Sequence, residues 1–104
     1  IVIATGSYPD TERWNSDFAS IDPAAVAWLD TRGVRLVAID TPSVDSADSK
    51  DLPAHAAFFA HDMSIIEGVV LEGVPDGRYE LIALPLSLVG FDASPVRAVL
   101  RSLT

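Results

Sequence analysis

A chain of 104 residues, 49% hydrophobic and with a mean hydropathy of +0.30, holds enough apolar material for one small core. That excludes a disordered chain and two independent cores alike. Seven Lys and Arg against fifteen Asp and Glu give a formal charge of -8, which repels polyanions and excludes nucleic acid as a partner, and the absence of cysteine excludes a disulfide framework and thiolate metal sites.

In chain order, Ile1–Thr5 is a β-forming run that stops at Gly6, and it is expected to pair on both sides in a sheet. The chain opens without an initiator Met or a signal sequence, its one methionine being Met63. It therefore reads as the carboxyl-terminal part of a longer polypeptide, with an apolar patch expected where the remainder packs. Ser7–Ser20 is polar and irregular, with Tyr8, Trp14 and Phe18 set in it. Asp22-Pro23 gives a helix start, Asp as N-cap and Pro at the first helical position, and Gly33 closes that helix. Val34–Ile39 then suits a buried strand, so helix, glycine and strand make one α/β unit.

The polar loop Thr41–Asp51 leads to Pro53, which opens a second helix running to about His61. A second buried strand is expected over Ser64–Leu71. Pro75-Asp76-Gly77 reads as a turn with Gly77 in the left-handed position. Tyr79–Leu86 is the clearest strand, with Pro85 marking an edge or bulge near its end. The longest apolar stretch, Leu81–Phe91, is broken by Pro85, Ser87 and Gly90 and falls short of a membrane span. A turn over Gly90–Pro95 and a half-exposed strand over Val96–Leu103 complete a single mixed α/β domain, with no internal repeat. The core is expected to include Val26, Leu29, Leu36, Val37, Ile39, Phe58, Ile82 and Leu84.

No phosphate-binding glycine loop, nucleophile elbow or zinc finger is present. The candidates for chemistry are the two histidines and the carboxylates near them. At about 100° per residue, His55 and His61 lie roughly 240° apart on a helix, so they cannot serve one site. His55 shares its face with Phe58 and Phe59, and reads either as a hydrogen-bonded core residue or as a metal ligand. Glu67 sits in the apolar run Ile65–Val70, where a buried carboxylate needs a metal, a cation or several donors; the alternative is an outward-pointing side chain on a half-exposed strand. If helix and following segment are antiparallel neighbours, His55 and Glu67 meet on one wall, a pair that zinc accepts as part of a set of about four ligands. His61 falls at the helix end, where it reads as a capping cation. Asp40-Thr41-Pro42-Ser43 follows the carboxyl end of a strand, where α/β proteins place binding groups, although the same residues are ordinary turn formers.

Several segments, in order, carry a resemblance: Val37–Asp45, Asp48–His55, Ile66-Glu67, Tyr79–Leu86 and Ser94–Ala98. Over essentially the whole chain, the sequence resembles the carboxyl-terminal half of the bacterial kynurenine formamidases, within the metal-dependent cyclase family. The resemblance implies a swivelling β/β/α fold and a cytoplasmic homodimeric hydrolase with two zinc ions per subunit. It implies the hydrolysis of N-formyl-L-kynurenine, a formylated arylamine, to L-kynurenine and formate in tryptophan breakdown. It places metal ligands on His55 and Glu67. The family's other ligands and catalytic histidine lie in a His-x-Gly-Thr-His-x-Asp-x-x-x-His motif, absent here and expected upstream of Ile1. The rival readings are another cyclase-type amide or lactam hydrolase, and a non-catalytic acidic α/β binding module with a salt-bridged Glu67.

Overall fold

The computed structural model describes residues 1–103, which form two compact units, one from Ile1 to Glu72 and one from Gly73 onward. The first is a three-stranded parallel sheet joined by helices. Its elements are β1 (Val2–Ile3), α1 (Pro23–Thr31), β2 (Leu36–Ile39), α2 (Pro53–Ala60) and β3 (Ser64–Ile66). The strand order is β1-β2-β3, with Val2 opposite Ala38 and Leu36 opposite Ser64. Among the described residues β1 is therefore an edge strand paired on one side only, which corrects the expectation of pairing on both; β2, buried over Val37–Ile39, takes the central place.

The helix ends follow from local chemistry. The Asp22 carboxylate accepts the Ala24 N–H at 2.8 Å, and Pro23 occupies the first turn, where a missing N–H costs nothing. At the far end Gly33 takes φ +78°, its N–H donating to the Asp30 carbonyl while Val34 donates to Leu29. This pair of bonds is the Schellman closure that a left-handed glycine permits. α2 closes in the same way on Asp62 (φ +53°), with Asp62 and Met63 donating to Phe59 and Phe58.

The two helices pack on each other, and Val26, Leu29, Ala54 and Phe58 join Val37, Ile39, Val44 and Met63 in one buried cluster. Leu36 is half-buried at the start of β2. β3 is shorter than expected, ending at Ile66. Gly68 turns the chain at φ +70° and donates its N–H to the Thr41 carbonyl.

The second unit is the hairpin of β4 (Tyr79–Pro85) and β5 (Val96–Ser102), antiparallel from Tyr79 opposite Ser102 to Pro85 opposite Val96. Ile82 is 38% and Leu84 76% exposed, so neither belongs to the core. A two-stranded ribbon has no second layer within its own unit to cover them. Gly77 is not in the left-handed region; Gly73, at φ +76°, is, and the turn is instead closed by the Tyr79 hydroxyl donating to the Pro75 carbonyl at 2.7 Å. Among the described residues no helix is long and apolar enough to cross a membrane.

Candidate metal site

In a parallel sheet the carboxyl ends of the strands share one edge, and the loops leaving them collect functional groups there. Here β2 exits into residues 40–51 and β3 exits into Glu67. The first turn of α2, which follows the β2 exit loop, carries His55.

Asp45 organises the site. It is 3% exposed, and its carboxylate does the work of an N-cap for α2, since Leu52, at the N-cap position, has no side-chain acceptor and takes φ +48°. Oδ1 accepts the Ala54 N–H at 2.8 Å and Oδ2 accepts the His55 N–H at 3.0 Å. The same Oδ2 lies 2.7 Å from Nδ1 of the His55 ring. Burial by itself raises the Asp45 carboxyl, but the His55 and Ala54 N–H groups and the imidazole outweigh it and hold the group below its ordinary 3.8.

With Nδ1 on Asp45, Nε2 of His55 is turned to Glu67, whose Oε2 lies 3.3 Å away. Glu67 is placed in turn by the Val44 N–H, which donates to Oε2 at 2.9 Å. The structure thus brings the two predicted residues together. It also corrects the premise on which Glu67 was singled out. Its side chain is 30% exposed, and that of His55 36%, because Glu67 lies beyond the end of β3 rather than inside a buried strand. Desolvation alone does not demand a cation here.

The ring's proton count is what matters. One imidazole stands between two carboxylates. With a single ring proton on Nδ1 facing Asp45, the Nε2 lone pair is left against the Glu67 carboxylate unless a second proton or a metal ion lies between them. The donor set, a neutral imidazole nitrogen and a carboxylate oxygen, suits zinc. Two ligands each at ~2.0–2.1 Å from a tetrahedral ion are ~3.3–3.4 Å apart, which is the separation found. Among the described residues no group of three or more His, Cys, Asp or Glu side chains could hold a metal ion, so the pair by itself makes no complete metal site.

The other candidates fall elsewhere. His61 is the C-cap residue of α2, as expected. Its side chain, however, meets Asp30 of α1, with Nδ1 2.9 Å from Oδ2, rather than capping the helix carbonyls. The ring is drawn aside because a carboxylate is within reach. Asp40 accepts the Thr5 N–H, the Thr5 hydroxyl and the Gly6 N–H, tying the exit of β1 to that of β2, and the buried Thr41 hydroxyl donates to the Ser43 carbonyl. Both are turn chemistry. From that loop sequence reasoning missed Asp45; the available signal was an acid ahead of a helix whose N-cap position holds Leu52.

Comparison with known proteins shows what the whole chain is similar to. The kynurenine formamidase of Bordetella pertussis is 50% identical over 103 residues, which is 99% of this chain and 49% of that protein; the kynurenine formamidase of Bordetella bronchiseptica gives the same figures. The chain spans about half the length of the curated relatives it matches. Among solved structures, one described as a predicted metal-dependent hydrolase from Bacillus stearothermophilus matches with a TM-score of 0.75 at 37% identity, covering 84% of this chain and 42% of its own. Another, described as a potential metal-dependent hydrolase with cyclase activity, gives 0.73 at 36% identity, with 84% and 43% covered. No protein-family model matches the chain. The mixed α/β fold is that of these hydrolases.

Proposed function

We propose that this chain, a homologue of the bacterial kynurenine formamidases and of metal-dependent hydrolases of cyclase type, supplies part of a zinc site that hydrolyses N-formyl-L-kynurenine to L-kynurenine and formate. The observation that carries the reading is the convergence of His55 Nε2 and Glu67 Oε2 at 3.3 Å, with Asp45 fixed on the opposite ring nitrogen. Sequence identity to enzymes of that name supports the substrate.

In this reading each residue of the chain has a task. Asp45 holds the Nδ1 proton, which fixes the tautomer, turns the Nε2 lone pair outward and raises its basicity. Val44 keeps Oε2 of Glu67 beside it. His55 and Glu67 hold the metal, and the remaining ligands, with the histidine that protonates the departing arylamine, come from outside these residues. Bound zinc would supply Lewis acidity toward the formamide carbonyl and lower the pKa of a water molecule. A cytoplasmic homodimer with two ions per subunit completes the proposal.

The test uses the intact protein. Removal of metal with a chelator should abolish turnover of N-formyl-L-kynurenine, and added zinc should restore it. The relative described as having cyclase activity favours a second reading, a hydrolase of another amide or lactam. A substrate panel separates the two, since that reading requires a ring amide or lactam to be turned over faster than the formamide. Turnover that survives complete metal removal defeats both.

A further inference from the structure

The turn that leaves β2 meets the candidate site through a single peptide group. Thr41 is fully buried, and its hydroxyl donates to the Ser43 carbonyl at 2.8 Å. That carbonyl belongs to the peptide group whose other end is the Val44 N–H. A peptide group is planar, so holding one end aims the other. The Val44 N–H donates to Glu67 Oε2 at 2.9 Å, and Oε2 is the oxygen that lies 3.3 Å from His55 Nε2. Hydroxyl, peptide, carboxylate and imidazole thus form one unbroken chain of contacts.

Thr41 also grips the other side of that contact. Its own carbonyl accepts the Gly68 N–H at 2.8 Å, which fixes the peptide group joining Glu67 to Gly68. Just beyond it, the Val69 N–H donates to the Ile39 carbonyl at 3.2 Å. On the far side of Val44, its carbonyl accepts the Ile21 N–H at 2.8 Å, and the Asp45 N–H donates to Ser43 Oγ at 3.1 Å. The two peptide groups that flank Val44 are therefore both pinned. The one that faces Glu67 is pinned at its carbonyl by the Thr41 hydroxyl.

We propose that Thr41 is a positioning residue of the metal site, its hydroxyl setting the Ser43–Val44 peptide so that the Val44 N–H holds Glu67 Oε2 toward His55. The inference rests on the zinc-site reading above and adds to it a residue that reaches the ligand pair only through another. Two effects act in the same direction. The hydroxyl holds the peptide against rotation, so Glu67 meets a donor already in place and the ordering cost of binding an ion falls. A donor on the carbonyl also polarises the peptide, which makes the N–H at its other end the stronger donor. A methyl group would fill the same buried space, so what the hydroxyl adds is the bond it donates.

Thr41→Val, which exchanges the hydroxyl for a methyl group of similar size, tests this on the intact protein beside Thr41→Ser, which keeps the hydroxyl. Zinc affinity, measured by competition with a metal-binding dye, should fall by about three- to tenfold in Thr41→Val and stay near the wild-type value in Thr41→Ser. In the metal-free protein, the Val44 amide proton of Thr41→Val should move upfield in NMR spectra, toward its position in Glu67→Ala, where the acceptor is gone. A merely structural role would lower the urea midpoint and leave both readouts in place. The proposal is overturned if either readout keeps its wild-type value in Thr41→Val, or if Thr41→Ser loses as much affinity as Thr41→Val. Should Thr41→Val fail to fold, Thr41→Ala, which lacks the same hydroxyl, is held to the same criteria. If the wild-type protein binds no zinc, the zinc-site reading fails and Thr41 is judged by the amide proton alone. A shift in Thr41→Val then sustains its hold on Glu67, and an unmoved proton overturns it.

Discussion

The two ends of α2 each carry a histidine against an aspartate, at 2.7 Å for His55 and Asp45 and 2.9 Å for His61 and Asp30. Their charge balance differs. At the carboxyl end, Asp30 also takes the Arg35 guanidinium at 2.7 Å, and Arg35 donates to the His61 carbonyl. There the Arg35 guanidinium matches the one carboxylate in charge, so that cluster is closed. At the amino end, two carboxylates share one imidazole, and among the described residues no Lys or Arg pairs with either. The two carboxylates there have only the His55 ring between them. The same residue types, one helix apart, therefore make an ion-paired staple in one place and an acid-rich candidate site in the other.

The largest effect that can break this comparison is the removal of a ligand. In the intact protein, His55→Ala or Glu67→Ala should lower zinc affinity and formamide turnover together by more than about a hundredfold, while His61→Ala leaves bound zinc at the wild-type level. Metal analysis by mass spectrometry, run beside the hydrolysis assay, checks it. If His61→Ala strips as much zinc as His55→Ala, the distinction between the two ends collapses.

A subtler change sharpens it. Asp45→Asn keeps the shape and one of the two oxygens that accept the α2 N–H groups, but it loses the charge that fixes the His55 tautomer. It should cost about ten- to a hundredfold in zinc affinity and less stability than full removal of the side chain. Asp45→Ala also uncaps the helix and should add about 0.5–2 kcal/mol of destabilisation, read from a urea midpoint. Equal stability of the two variants would mean that the carboxylate does not serve as the helix cap.

How much of this was legible in the sequence differs by feature. Both ends of α1 were, because Asp22, Pro23 and Gly33 act within a turn of where they stand in the chain. The meeting of His55 with Glu67 was legible from the order helix, turn, strand. The role of Asp45 was not, since its bonds to Ala54 and His55 reach across a loop whose path no periodicity encodes. The burial assigned to Glu67, Ile82 and Leu84 failed for a shared reason: hydrophobic runs report a preference for burial, and only the surrounding layers decide whether it is met. Gly73 rather than Gly77 takes the left-handed position, because a Pro-Asp-Gly sequence permits that conformation without imposing it.

The smallest expected effect concerns the closed cluster and is one of acid stability. The Arg35 guanidinium, and after it the His61 imidazole, hold the Asp30 carboxyl below its ordinary 3.8, more than offsetting the slight upward push of burial. A carboxyl whose folded value lies below its unfolded one contributes stability that is fully present above the unfolded value. That contribution is lost as pH falls from about 3.8 through the folded value. Asp30→Asn should therefore flatten the acid limb of the intact protein's stability profile in that window while shifting the neutral plateau only slightly. Arg35→Ala, which removes the leading cause of the shift, should flatten it in the same way. Because Arg35 is more than half exposed, added salt should erase the difference between wild type and variant. The zinc affinity lost in Asp45→Asn should survive the same salt, since Asp45 is buried and acts by direct contact with the ring. A steep acid limb that persists in Asp30→Asn would show that the staple contributes nothing, and that α2 is held at its carboxyl end by the packing of Phe58 and Met63 alone.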